Sequence, residues 1–155
     1  MKKIFRAHRL SELHEQQGIL VNPYLKIARQ PRDTSGELHR LADAWFEQQF
    51  DLGFRSKTLF GSGNRSEAEH YCDEEHVLIS IEPIDDYVLC YSPKCRDMFD
   101  HFQRVGRHPW QQDFVWQEMN SLQYQLVNNT SWDAAATSNC EIMMYAQKFK
   151  YRRED

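Results

Sequence analysis

Between Leu38 and Phe50 the apolar residues Leu38, Leu41, Ala42, Trp45, Phe46 and Phe50 recur at spacings of three and four, and beyond Gly53 that period gives way to alternation. Three-and-four spacing buries one face of a helix, whereas alternation puts successive side chains on opposite faces of a strand. Thr58, Phe60 and Ser62 then share one strand face in a segment that begins near Arg55. From His76 to Glu82, Val77, Ile79 and Ile81 alternate with Leu78, Ser80 and Glu82, and Pro83 closes the run. The Asp85-Asp86 turn leads into the apolar run Tyr87 to Tyr91, so these two strands are expected to form a hairpin. With 41% hydrophobic and 27% charged residues, and no internal repeat or linker, the 155 residues read as one domain of α+β class.

The remaining elements follow the same rules. Lys2 to Arg9 alternates as a strand with Ile4, Arg6 and His8 on one face. Leu10 to Gln17 reads as one or two helical turns stopping at Gly18. Gln30-Pro31-Arg32-Asp33-Thr34-Ser35-Gly36 is turn chemistry, and Thr34 with Glu37 predicts a capping box for the helix that follows. Ser92-Pro93 is expected to open a helix through about Phe102, with Met98, Phe99 and Phe102 inward. Gln111 to Val127 has helical spacing, Asn128 to Ser131 reads as loop, and Trp132 to Ala136 is ambiguous. Cys140 to Ala146 is a late strand that Lys148 to Arg152 either extends or pairs with.

Several function classes fall away on composition. A formal net charge of -4 lacks the basic footprint of a general nucleic-acid coating protein. Spanning a bilayer takes ~20 consecutive apolar residues, and the chain has no such run, so no membrane partner is expected. Cys72, Cys90, Cys95 and Cys140 are too few and too irregular for a disulfide framework, and no apolar leader precedes them, which places the chain in a reducing, cytoplasmic compartment. Cys72, His76, Cys90, Cys95 and His70 can be drawn as a zinc site, but the paired short spacings of structural zinc are missing and metal binding is not expected.

Arg55 to Cys72 carries the most chemistry. It runs from a strand through Gly61-Ser62-Gly63 into a helix that Asn64 or Ser66 can cap, with Glu69 completing a capping box from Ser66. Small polar groups and free amides at a helix start suit a polar, anionic ligand, and Gly61 and Gly63 would let the backbone approach it. Set in order along the chain, Phe5-Arg6, Phe60-Gly61-Ser62, Ala68-Glu69-His70-Tyr71 and Cys140-Glu141-Ile142 resemble the motifs of ADP-ribosyltransferases of the bacterial-toxin and phage type.

The resemblance implies a split, mixed β-sheet core with flanking helices, NAD as substrate, and transfer of ADP-ribose to a macromolecular acceptor, protein or nucleic acid. Plain hydrolysis of NAD would use the same cleft. A phage or toxin setting would put the protein in the cytoplasm of a host or target cell. On this reading Glu141 is the catalytic carboxylate, with Met143 and Tyr145 on its own strand face. Arg6, His8, Phe60, Ser62 and Tyr71 are the NAD-binding candidates, grouped as Arg6-Ser62-Glu141 or as His8-Tyr71-Glu141. The first grouping is preferred because Phe5-Arg6 and Phe60-Gly61-Ser62 match together. Asn139 stands where arginine-directed members carry a second acid, which argues against arginine as the modified residue. Arg55 and Arg32 are neighbours of the cleft without an assigned role. The competing expectations are a non-catalytic binding or inhibitor protein on the same scaffold and a metal-dependent nucleic-acid enzyme.

Overall fold

A computed structural model describes residues 2–31, 34–128 and 131–154. Two four-stranded sheets form the frame. The first has the order β1 (Ile4–Arg9), β4 (His76–Pro83), β8 (Lys148–Arg153), β2 (Gln17–Val21). The second has the order β3 (Leu59–Gly61), β7 (Ile142–Tyr145), β5 (Val88–Tyr91), β6 (Gln125–Asn128). Every ladder is antiparallel, so the fold is α+β as expected, but the sheets are not mixed. The sheets join where Phe5 and Ser62 exchange both backbone hydrogen bonds, at 2.7 and 2.9 Å.

The second sheet is the middle layer, and its alternation shows why. Ile142 and Met144 of β7 and Leu89 and Tyr91 of β5 face the first sheet, packing with Ile4, Ile79 and Phe149. Met143 and Cys90 point the other way, against the helices α1 (Gly36–Phe50), α3 (Met98–Val105) and α4 (Gln112–Ser121). There Trp45, Phe46 and Phe54 meet edge to face, with Trp45–Phe46 and Phe46–Phe54 centroids 5.1 and 5.8 Å apart. Two short helices, α2 (Arg65–Glu69) and α5 (Asp133–Thr137), complete the chain.

The structure corrects several expectations. β4 and β5 belong to different sheets, so no hairpin forms; after Asp85, at φ 61°, the chain crosses from one layer to the other. β7 and β8 likewise part at Ala146, so β8 neither extends β7 nor pairs with it. The helical spacing of 111–127 spans two elements, because Gln123 takes φ 56°, and Leu126 then pairs with Cys90 in β6. α1 is capped by Ser35 rather than Thr34 and α3 by Asp97 rather than Ser92, while α2 is capped by Asn64, one of its two expected caps. Glu69 pairs with Arg65 instead of closing a capping box. Leu10–Glu12 is a single 3-10 turn, and Gln17 already belongs to β2. Arg55 lies in a turn ahead of β3. Arg32, Asp33, Asn129 and Thr130, from the two expected loops, lie outside the described residues.

Candidate functional site

A cleft of about 520 Å³ opens beside the junction of the two sheets. Arg6, His8, Phe60, Ser62, Tyr71 and Glu141, drawn from four separate segments, all line it. The convergence follows from the backbone: the Phe5–Ser62 bridge puts β1 beside β3, and β7 pairs with β3 through Gly61↔Ile142, which brings Glu141 to the same end.

Phe60 is the centre of the cleft floor. Its ring lies between two guanidinium groups, Arg29 at 3.7 Å and Arg55 at 4.3 Å from the centroid, and its carbonyl accepts a 2.9 Å bond from Arg6 Nη1. An aromatic face attracts cations, so one ring holds together two like charges that would otherwise repel. Arg55 also donates from Nη1 to Glu141 Oε1 at 2.5 Å, with Met143 Sδ at 3.6 Å. Burial pulls the Arg55 pKa down and Glu141 more than offsets it, so the net shift is upward. Arg6 is lowered to about 10 by burial and by Arg29, which leaves it charged near neutral pH. Three guanidinium groups thus meet at the floor, with Glu141 acting on Arg55 and Arg29 and Glu12 on Arg6.

His8 completes the floor. Its Nδ1 accepts from Arg6 Nε at 3.1 Å, and burial together with Arg6 lowers its pKa to about 4, so it is neutral at pH 7 with its proton on Nε2. That Nε2 faces Glu12 Oε2 at 2.8 Å, whereas Arg55 Nε is buried without a hydrogen-bond partner. A buried donor left unpaired is costly, so Arg55 Nε has room for an acceptor.

The other expected residues have more structural employment. Ser62 Oγ accepts the Asn64 amide at 3.0 Å, which tightens the turn into α2. Tyr71 is 44% exposed at the mouth, and its hydroxyl donates to Asp97 Oδ2 at 2.9 Å; burial and that carboxylate raise its pKa. Gly61 and Gly63 admit the chain itself rather than a ligand. A Cβ on Gly63 would stand 1.9 Å from the Ala136 carbonyl oxygen, and one on Gly61 2.7 Å from Ile4 Cγ2. Arg29 gave no sequence signal, because its position in an irregular segment carries no period. Arg55 was visible as a neighbour, yet its partner Glu141 is 86 residues away.

All four cysteines are free thiols, and no cluster of three metal-ligating side chains occurs among the described residues. No helix among them is long and apolar enough to cross a membrane. Comparison with protein-family models, curated proteins and solved structures returned no match.

Proposed function

We propose that the cleft binds NAD as a substrate and that the protein transfers its ADP-ribose to a macromolecule. The observation that carries this reading is the convergence of all six expected residues on one cleft whose floor brings three guanidinium groups, Arg6, Arg29 and Arg55, around one aromatic residue. A pyrophosphate supplies the missing negative charge, and planar guanidinium forks match its oxygens. The unpaired donor Arg55 Nε suits a ligand rich in acceptor oxygens. The volume also suits a ligand of this size.

In the reaction the bond between nicotinamide and ribose C1 breaks, nicotinamide leaves with the electron pair, and an acceptor nucleophile forms the new bond to C1. Positive charge develops on the ribose in between. Glu141 is the group to stabilise it, and the Arg55 contact holds that carboxylate in place. Only Oε1 of Glu141 is engaged by Arg55, so Oε2 is the oxygen to meet the substrate. Arg6 and Arg29 anchor phosphates, and Phe60 holds Arg29 and Arg55 in place. The Arg6-Ser62-Glu141 grouping is preferred, since Arg6 is tied to Phe60 and Ser62 is bridged to Phe5, whereas the Tyr71 hydroxyl is engaged by Asp97.

Calorimetry with NAD tests the reading directly. Wild-type protein binds, Arg6→Ala weakens binding strongly, and Ser62→Ala weakens it less because its hydroxyl serves the turn. Labelled NAD with Glu141→Gln then separates a transferase, which loses product, from a non-catalytic binder, which keeps its biological effect. A folded protein that binds no NAD sinks the proposal.

A further inference from the structure

β2 is an outer strand of the first sheet, and its hydrogen-bond phase is fixed at both ends: the Asn22 amide donates to the Gln147 carbonyl and the Arg153 amide to the Gln16 carbonyl, both at 2.8 Å. In an antiparallel ladder such bonded pairs recur at every second residue. Gly18 and Leu20 therefore turn their backbone groups to β8, while Gln17, Ile19 and Val21 turn theirs to the free edge, where no partner meets them among the described residues. Edge strands are usually kept from pairing by a charge, a proline or a bulge. β2 has none of these, reading Gln-Gly-Ile-Leu-Val in unbroken register, and Ile19 and Val21 are 53% and 66% exposed. The opposite edge, β1, is instead bridged at Phe5 by Ser62.

The neighbouring strand adds an independent feature. Lys148, Lys150 and Arg152 stand exposed on the outer face of β8, roughly 7 Å apart, and none of the three is engaged in an ion pair among the described residues. Across β4 the residues in register are Ser80 against Arg152 and Glu82 against Lys150, so one carboxylate meets three cations here. A groove of about 610 Å³ lies over this face, with Gln17, Ile19, Glu82, Lys150 and Arg152 in its lining.

Unpaired amides and carbonyls in a row call for another extended peptide backbone, which a nucleic acid does not offer. The cations call for carboxylates, and β2 carries none, so a second copy paired edge to edge would leave them unmatched. We infer that β2 accepts an extended acidic segment of another polypeptide as a fifth strand of the first sheet, with its carboxylates on the outer face. Ile19 and Val21 stand in register with Lys150 and Lys148, so guest carboxylates and host ammonium groups meet above these two aliphatic side chains, and the stems of both partners cover them. The edge shares no residue with the cleft, so the inference does not depend on the transferase reading.

The test reads fluorescence anisotropy of labelled peptides with the full chain: alternating Glu-Val, alternating Lys-Val and alternating Glu-Pro. Glu-Val is expected to bind and Lys-Val not to. Glu-Pro keeps the charge but lacks every second amide donor, and is expected to bind at least about tenfold more weakly than Glu-Val. Lys148→Gln/Lys150→Gln, at two exposed positions, should weaken Glu-Val by about tenfold. Ile19→Pro removes a donor that faces the free edge without removing a bond to β8, and should weaken Glu-Val by a similar factor. Circular dichroism confirms that the variants are folded; should Ile19→Pro fail to fold, the Glu-Pro peptide and the lysine variant decide. No binding of Glu-Val, equal affinity for Glu-Pro, or unchanged affinity in the folded lysine variant overturns the inference. So does a single-stranded DNA oligonucleotide that binds as tightly as Glu-Val, or a dimer of the unliganded chain, seen by sedimentation, that Ile19→Pro dissociates, because either outcome gives the edge to a different occupant.

Discussion

Arg55 and Glu141, 86 residues apart in sequence, form a 2.5 Å ion pair in which Arg55 is 6% and Glu141 18% exposed at the side chain. A pair this sheltered is expensive to break from one side, because the survivor stays charged and desolvated. Arg55→Ala is therefore expected to lower stability by about 3 kcal/mol, and Glu141→Leu by a similar amount. Arg55→Met combined with Glu141→Leu should lose less than the sum, since it leaves no orphan charge. Urea denaturation of wild type, Arg55→Met, Glu141→Leu and the double variant measures the coupling. Single variants that each lose less than about 1 kcal/mol would mark the pair as solvent-screened.

His8 gives a pH signature. Its folded pKa, about 4, lies below the ordinary value of 6.5, so the unfolded chain binds the extra proton first as pH falls. Its contribution is full above pH 6.5 and is lost as pH drops from 6.5 towards 4, by up to about 3 kcal/mol. Arg6 and His76 oppose the proton, Glu12 favours it, and burial dominates all three. Since carboxylates titrate near the lower end of this window, the quantity to measure is the difference between wild type and His8→Gln. The variant is expected to show a flatter stability profile from pH 6.5 to 4, and parallel profiles would place His8 in a far more hydrated setting.

The helix α1 and the strands β1 and β4 were legible in the sequence because each buries a face with its own period. The partition of strands between sheets was not. Asp85-Asp86 has turn chemistry whether the chain folds back or crosses to another layer, and only the packing of Ile81 and Leu89 into one shared core decides. β6 was hidden because Leu122 and Leu126 keep helical spacing across the break at Gln123. The site divided in the same way. Residues in local motifs were found, whereas Arg29 and the role of Arg55 depend on the Phe60 ring and on Glu141, contacts that no local pattern encodes.

Two glycines that look alike in sequence should respond oppositely to substitution. Gly63→Ala would drive a methyl into the Ala136 backbone, 1.9 Å from its oxygen, and backbone cannot swing aside as a side chain does. The loss is expected to reach about 3 kcal/mol, with the turn between β3 and α2 displaced. Gly36, the first residue of α1, has nothing within 4 Å of the same position. Gly36→Ala should leave stability unchanged or raise it by up to about 1 kcal/mol, through a less flexible unfolded chain. Thermal melting of both variants checks the contrast, and equal effects would show that Gly63 is not sterically required.

Phe60 offers the sharpest link between packing and binding. Its ring is held between the Arg29 and Arg55 guanidinium groups, each contact being worth about 0.5–2 kcal/mol when partly desolvated. Phe60→Leu retains apolar bulk but removes the π face, so the two cations lose their common partner and repel. Phe60→Tyr keeps the face. The leucine variant is expected to lose about 2 kcal/mol of stability and to bind NAD at least about tenfold more weakly, while the tyrosine variant stays close to wild type in both. Denaturation and calorimetry on the same preparations read the two quantities. If leucine weakens folding but not NAD binding, the ring serves the core alone and the guanidinium groups reach the ligand without it. If leucine behaves as tyrosine does, the stack contributes nothing, and Arg55 is held instead by the Glu141 carboxylate and Arg29 by Tyr24.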